Sequence, residues 1–94
     1  MIKLISCISL DYDLQLLPHF LKHYCKLDID VFHFILHSNQ YSNLDIEKLY
    51  DEYFGKVTQK LILENWSGVF DGITKTNKLN RIIQSSKESH IVMA

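Results

Sequence analysis

The sequence predicts an α/β fold with an open parallel sheet, in the element order β-α-β-α-β-α-β. Four short apolar runs recur along the chain without a glycine inside them, as is typical of strands that are covered on both faces. The segments between these runs are long enough for helices, and their apolar residues are spaced accordingly. Strands and helices that alternate in this way favour right-handed crossovers and helices on both faces of the sheet. The expected architecture is therefore a three-layer, Rossmann-like α/β sandwich.

Composition and charge are those of one globular domain over residues 1–94. The chain is 47% hydrophobic and 22% charged, and its formal net charge is −1. Such a charge gives no whole-protein field to recruit nucleic acid or an anionic membrane. No stretch approaches the ~18 apolar residues that span a bilayer. The two cysteines, Cys7 and Cys25, lack Cys-x-x-Cys spacing, so we expect reduced thiols in a cytoplasmic protein.

The predicted strands are nearly continuous apolar runs. They read IKLISCISL at residues 2–10, DVFHFILHS at 30–38, VTQKLILEN at 57–65 and HIVMA at 90–94. In open parallel sheets, ligands bind beyond the carboxyl ends of the strands, where the strand order reverses. Candidate site residues are therefore sought after Leu10, His37, Glu64 and Ala94.

The predicted helices differ in clarity. The second is the clearest, with one apolar stripe formed by Ile46, Leu49, Tyr50, Tyr53 and Phe54. Ser42 or Asn43 can cap its start, and Gly55 can end it. The first helix is predicted to begin near Pro18, since proline is tolerated in a first turn but not in a helix interior. The third helix is predicted over roughly residues 71–87.

Two Asp-x-Asp triplets could, by residue type, hold a divalent metal against a diphosphate. Asp28 and Asp30 precede the second strand, at the wrong edge of the sheet for a ligand, and are predicted to be solvated turn residues. Asp11 and Asp13 follow the first strand at the ligand edge. There, a role in capping the leading turn of the first helix or in loop structure is favoured over direct ligand contact.

Several other residues keep two interpretations open. His37 ends the second strand, where it could contact a nucleoside or belong to an ordinary loop. Lys75, Lys78 and Arg81 follow one another at i, i+3 steps, so they form either a solvated helix face or a positive patch beside a diphosphate. Trp66 is predicted to follow the third strand, where it could stack on a base or sugar or pack in the core.

The first helix and the second strand together carry a familiar pattern. The helix contains Leu17, Pro18, Phe20, Leu21 and His23, and the strand opens with Asp30, Val31, Phe32, His33 and Phe34. This pattern resembles the opening of GT-A glycosyltransferases of the family-two-like group, most specifically over residues 5–39. The later segment NWSGVFDGITKTNKLNRII is similar to the family's third-helix region.

The resemblance implies that residues 1–94 are the N-terminal, nucleotide-sugar-binding half of a GT-A fold. In the family, the fourth strand delivers an Asp-x-Asp motif that holds Mn²⁺ or Mg²⁺ at the diphosphate of the donor. HIVMA resembles that strand, and the sequence stops before such a motif. The expectation is a glycosyltransferase that moves a sugar to an acceptor hydroxyl, with a divalent metal in the full-length enzyme. This chain alone is expected to be inactive and to hold no metal.

The resemblance also assigns roles by position. It implies no catalytic residue in this chain, and His37 stands where the family often has an aspartate. The implied nucleotide-binding residues are Ser9, Asp11 and Asp13 near the base, Ser38 and Asn39 near the ribose, and Lys78 or Arg81 nearest the diphosphate.

A different class of function is also compatible with the sequence. A small doubly wound module could bind a nucleotide or a protein partner without any catalysis. The open edge of the sheet at the fourth strand also predicts self-association, because an unpaired edge offers backbone donors and acceptors to another chain.

Overall fold

The computed structural model describes residues 2–39, 43–85 and 89–93. The elements are β1 (Ile2–Ser9), α1 (Leu17–Tyr24), β2 (Val31–Ser38), α2 (Asn43–Phe54), β3 (Lys60–Ser67), α3 (Gly72–Ser85) and β4 (Ser89–Met93). The predicted order of strands and helices is confirmed. Within the described ranges, no helix is long and apolar enough to cross a membrane.

The strands form one parallel sheet in the order β3-β2-β1-β4. β1 pairs with β2 as far as Ser9–His37, whereas its pairing with β4 ends at Ser6–Met93. The chain runs from β1 to β2 to β3 in one direction and then returns to the other side of β1. The strand order therefore reverses between β1 and β4, and the carboxyl edge of the sheet, where the strands end, is the expected place for a ligand.

Different helices cover the two faces of the sheet. Because successive side chains of a strand point to opposite faces, β2 contributes to two separate cores. The larger core, under α1 and α2, contains Leu4, Ile8, Leu17, Leu21, Phe32, Phe34, Leu36, Ile46 and Phe54. The smaller core, under α3, contains Ile5, Cys7, Ile35, Trp66, Leu79 and Ile82. The return of the chain to β4 puts α3 on the second face, as right-handed crossovers require.

The ends of α1 and α2 follow local sequence. α1 begins at Leu17 with Pro18 in its first turn, as predicted. α2 ends at Phe54, and a Cβ on the next residue, Gly55, would lie 2.6 Å from the carbonyl oxygen of Asp51. Glycine is required there because of this close approach. The predicted cap Ser42 lies outside the described residues.

The third strand lies later in the chain than predicted. β3 begins at Lys60 rather than at residue 57, and it runs to Ser67 because it pairs with β2 as far as Ser38–Ser67. Trp66 is therefore inside the strand, and the prediction that it follows the strand was wrong. α3 ends at Ser85 in the described part of the chain, and the predicted helix end at residue 87 and Ala94 lie outside it.

Asp30 connects the amino ends of three strands. Its Oδ2 accepts a hydrogen bond from the amide of Ile2 at 2.8 Å. Its own amide donates to the Ile2 carbonyl at 2.9 Å, and its carbonyl accepts from the Lys60 amide at 3.2 Å. Asp30 is exposed, as predicted, and in addition its hydrogen bonds hold the amino ends of the strands together.

Candidate functional site

The loop after β1 folds back onto the end of its own strand. Asp13 Oδ2 accepts from the Ser9 amide at 3.1 Å, and the Asp13 amide donates to the Ser9 carbonyl at 2.7 Å. The next amide, that of Leu10, donates to β2, so the Ser9 amide faces the β4 side, beyond the last described β1–β4 pair. The Asp13 carboxylate thus takes the place of a neighbouring strand, and it does not cap α1, whose N-cap residue is Leu16 and lacks a side-chain hydrogen bond.

Asp11 connects this loop to the end of β2. Its Oδ2 accepts from the Asn39 amide at 2.9 Å. Asn39 is exposed, and Asp11 is half-buried. The acidic loop and the turn after β2 are therefore held side by side at the carboxyl edge.

His37 lies at the centre of this edge and is 1% exposed. Its Nδ1 is 2.8 Å from Ser9 Oγ, and its Nε2 is 2.7 Å from the Gly68 carbonyl oxygen. A carbonyl oxygen only accepts, so we assign the proton to Nε2, and Nδ1 of the neutral ring accepts from the Ser9 hydroxyl. Ser9 is only 2% exposed, so its hydroxyl is buried against the imidazole and not presented to solvent. His37 is the penultimate residue of β2, as predicted for the end of the second strand, and it is not part of an ordinary loop.

The chain turns after β3 at Gly68, whose φ of 123° is in the left-handed region that favours glycine. The Gly68 amide donates to the Ser38 carbonyl at 3.3 Å, while its own carbonyl accepts from His37. The ends of β1, β2 and β3 are in this way joined by hydrogen bonds around one imidazole ring.

Aromatic rings cover the same edge and form what we call the aromatic cluster, which consists of Tyr12, His37, Trp66 and Phe70. The Trp66 and Phe70 centroids are 5.5 Å apart, and those of Tyr12 and Phe70 are 6.3 Å apart in an edge-on arrangement. Trp66 is buried, but Phe70 is 37% exposed and Tyr12 is 73% exposed. The cluster thus offers solvent a ring surface next to the acidic loop.

Two lysines of α3 flank the aromatic cluster. Lys75 Nζ is 6.0 Å from the Phe70 centroid, and Lys78 Nζ is 5.9 Å from the Trp66 centroid, at the outer limit of cation–π contact. Arg81 instead donates to Glu64 Oε2 at 2.9 Å. Since Glu64 precedes Trp66 by two residues along β3, Lys78 lies nearer the carboxyl edge than Arg81.

The described residues do not form a metal site. No group of three or more histidine, cysteine, aspartate or glutamate side chains in ranges 2–39, 43–85 and 89–93 could hold an ion. Asp11 binds the backbone amide of Asn39, and Asp13 binds that of Ser9. Burial raises the pKa of the nearby Cys7 thiol, and the ammonium groups of Lys75 and Lys78 oppose this effect only in part.

Most of the predicted nucleotide-binding residues come together. Their role as ligand contacts stays a prediction, and the structure adds that Ser9 and Ser38 are buried. Gly68 and Phe70 were missed by sequence reasoning, although a glycine just after a strand signals a turn. The residues gathered at the carboxyl edge are Ser9, Asp11, Asp13, Ser38 and Asn39, with Lys78 beside them and Arg81 further along α3.

A comparison of the chain with protein-family models, curated proteins and solved structures finds no match. The function proposed next rests on the residue pattern and on the geometry of the carboxyl edge.

Proposed function

We propose that this chain is the N-terminal, nucleotide-binding part of a GT-A glycosyltransferase of the family-two-like group. The full-length enzyme would move a sugar from a nucleotide-diphosphate donor to an acceptor hydroxyl. One observation carries the proposal, namely that exposed aromatic rings, two lysines and the acidic loop share the carboxyl edge of the sheet. We assign the protein to the cytoplasm, where free cysteines such as Cys7 and Cys25 are the norm.

The base of the nucleotide would stack on the exposed rings of Tyr12 and Phe70. A flat heterocycle gains about 1–3 kcal/mol from such a platform. Asn39 is exposed, and its backbone amide is held by Asp11, so its side-chain amide would be the group that meets the ribose. Lys78 would meet the diphosphate as a mobile point charge. Arg81 is engaged by Glu64 and is not needed for this role.

This part of the enzyme would bind the donor without reacting it. A divalent metal in the full-length enzyme would neutralise the departing diphosphate. Among the described residues no three potential metal ligands come together, and we assign these residues no step of the transfer. The isolated chain is therefore expected to be inactive, and sugar transfer by the purified protein would contradict this expectation.

Calorimetric titration with UDP, with and without Mn²⁺, tests the proposal. We expect weak binding that is the same with and without the metal. Lys78→Ala should weaken the binding about 5–10-fold, because a charge-assisted contact to a phosphate is worth roughly 1–1.4 kcal/mol. Lys48→Ala is the matched control, since Lys48 is an exposed lysine of α2 on the other face of the sheet.

Phe70→Ala tests the stacking surface in the same titration. Loss of the ring should weaken UDP binding about 10-fold, while inorganic pyrophosphate should bind both proteins alike. If the folded wild-type protein shows no UDP binding at millimolar concentration, the proposal fails.

A second candidate is a protein-interaction module without catalysis. Val69 and Ile73 are 78% and 74% exposed next to Phe70, and a nucleotide needs neither of them. The edge strands β3 and β4 of the described sheet could also pair with another copy. Sedimentation at rising concentration distinguishes the candidates. Association that Val69→Ser and Ile73→Ser reduce, without UDP binding, favours the module, whereas a strictly monomeric profile excludes self-association.

A further inference from the structure

We propose that His37 is a positioning residue that holds the ligand-facing loops after β1 and β3 in one arrangement without touching the ligand. Its importance for nucleotide binding rests on the function proposed above. Its effect on the two loops stands on the hydrogen bonds alone.

The position of His37 allows it to act on both neighbouring strands. In the sheet, His37 is paired with Ser9 of β1 on one side and with Trp66 of β3 on the other. One nitrogen of its ring reaches Ser9 Oγ, and the other reaches the carbonyl of Gly68, just past the end of β3. A neutral imidazole is suited to this task because it has an acceptor and a donor at opposite sides of one rigid ring.

The loop after β3 depends directly on this ring. Gly68 has both backbone groups fixed, with its carbonyl held by His37 and its amide held by the Ser38 carbonyl. Phe70 follows two residues later, and its ring lies edge-on to the imidazole with a centroid distance of 5.2 Å. Loss of the imidazole removes one hydrogen bond and one packing surface from the segment that carries Phe70.

The loop after β1 depends on the ring through Ser9. The hydroxyl of Ser9 is held by His37, and its amide is held by Asp13. Tyr12 lies between Asp11 and Asp13 in the same loop, and its ring is edge-on to that of Phe70. Of the described residues, the two exposed aromatic side chains at this edge are therefore connected to His37, Phe70 through Gly68 and Tyr12 through Ser9.

His33 provides a natural comparison on the same face of the same strand. Its Nε2 is 3.1 Å from Glu64 Oε1, and its buried Nδ1 has no hydrogen-bond partner among the described residues. His33 thus connects β2 to β3 only and reaches no ligand-facing loop. A histidine at this face is not sufficient for the proposed role, which needs both nitrogens.

The test uses Ser9→Ala and His37→Gln, with Ser6→Ala and His33→Gln as matched controls in the same strands. ¹⁵N NMR of the histidine rings identifies the protonated nitrogen, which should be Nε2 in His37. Ser9→Ala should speed amide hydrogen exchange at Gly68 about 10-fold, the effect of losing roughly one hydrogen bond. The Lys60 amide, which is bonded to Asp30 at the opposite edge, should exchange as before.

A purely structural role would behave differently. If Ser9→Ala and Ser6→Ala have equal urea midpoints, a purely structural role would also give them equal affinities for UDP. A positioning role lowers the UDP affinity of Ser9→Ala only. A proton on Nδ1 of His37, or equal acceleration at Gly68 and Lys60, would overturn the proposal. If wild-type protein fails to bind UDP, the proposed function falls, and the tautomer and exchange data still decide the role of His37. Should His37→Gln not fold, Ser9→Ala decides alone.

Discussion

The two faces of β2 are built from different chemistry. Toward α1 and α2 the strand presents Phe32, Phe34 and Leu36, all at most 2% exposed and packed in the larger core. Toward α3 it alternates Val31 and Ile35 with His33 and His37. The two histidines contact side chains of β1 and β3 and the backbone just after β3. The first face accounts for most of the buried apolar volume. The second directs polar groups toward the carboxyl edge.

The physical cost of the two faces differs accordingly. Burying an aromatic side chain is favourable by about 1.5–3 kcal/mol, whereas a buried polar group must find partners to avoid a penalty. His37 has partners for both ring nitrogens, so its burial is compensated. The α3 face thus contributes hydrogen bonds of fixed direction, and the other face contributes apolar burial, so we expect mutations on the two faces to have different effects.

The largest expected effect is on the apolar face. Phe34→Ala should lower the free energy of unfolding by about 3–5 kcal/mol, because it leaves a cavity where a fully buried ring contacts Phe20, Phe32 and Phe54. Urea unfolding followed by circular dichroism measures the change. Phe34→Leu, which keeps more of the volume, should cost less, and equal losses for the two variants would contradict a tightly packed face.

Thiol labelling shows whether the α3 face is equally closed. Cys7 lies in the smaller core, and burial raises the pKa of its thiol. Because the thiolate is the reactive form, Cys7 in a Cys25→Ser protein should react with Ellman's reagent at neutral pH at least about 100-fold more slowly than in urea.

Cys25 is half-buried, and burial raises its thiol pKa as well. In a Cys7→Ser protein it should react faster than Cys7 does in the Cys25→Ser protein. If Cys7 were the faster of the two, the core under α3 would have to open readily.

The polar contacts of the α3 face should contribute moderately. Glu64→Ala removes partners from His33 and Arg81 together and should cost about 1–2 kcal/mol. Arg81→Ala should cost less than about 0.5 kcal/mol, because the Arg81 side chain is 64% exposed and such ion pairs are screened. Urea midpoints of both variants test this order, and a larger loss for Arg81→Ala would reverse the roles of the two contacts.

A smaller effect than that of Glu64→Ala is expected at the start of α3. Hydrogen bonds from the Thr74 hydroxyl and the Ile73 amide lower the pKa of Asp71 below its ordinary value of 3.8. A lowered folded-state pKa stabilises the protein above that ordinary value, and this contribution is lost as pH falls through the lower value. Asp71→Ala should lower the melting temperature at neutral pH by about 2–5 °C.

In acid, the melting temperatures of wild type and Asp71→Ala should converge. Asp28→Ala, a change at an exposed turn aspartate, is the control and should leave the melting temperature nearly unchanged. A difference between wild type and Asp71→Ala that persists at low pH would show that the carboxylate is not the stabilising group.

Much of the fold could be predicted because its signals are local. The apolar runs located β1 and β2 to within one or two residues. Pro18 marked the start of α1 and Gly55 the end of α2, because proline and glycine restrict or permit backbone conformations wherever they occur. The prediction placed β3 too early in the chain, because the limits of this strand are set by its pairing with β2. That pairing extends past Trp66, which is therefore inside the strand. For the site, strand order alone brought Asp11 and Asn39 together, but nothing local indicated that Asp13 would bind the Ser9 amide.

Sequence by itself determined that this protein is a parallel α/β sheet with polar residues after its strands, because periodicity and turn residues act over a few neighbours. Only the tertiary structure decided what those polar groups do. His37 lies at the end of β2, and its hydrogen-bond partners belong to the two neighbouring strands or follow them directly. These partners, Ser9 and Gly68, are 28 and 31 residues away in the chain. Such partners follow from packing, and no short stretch of sequence contains them.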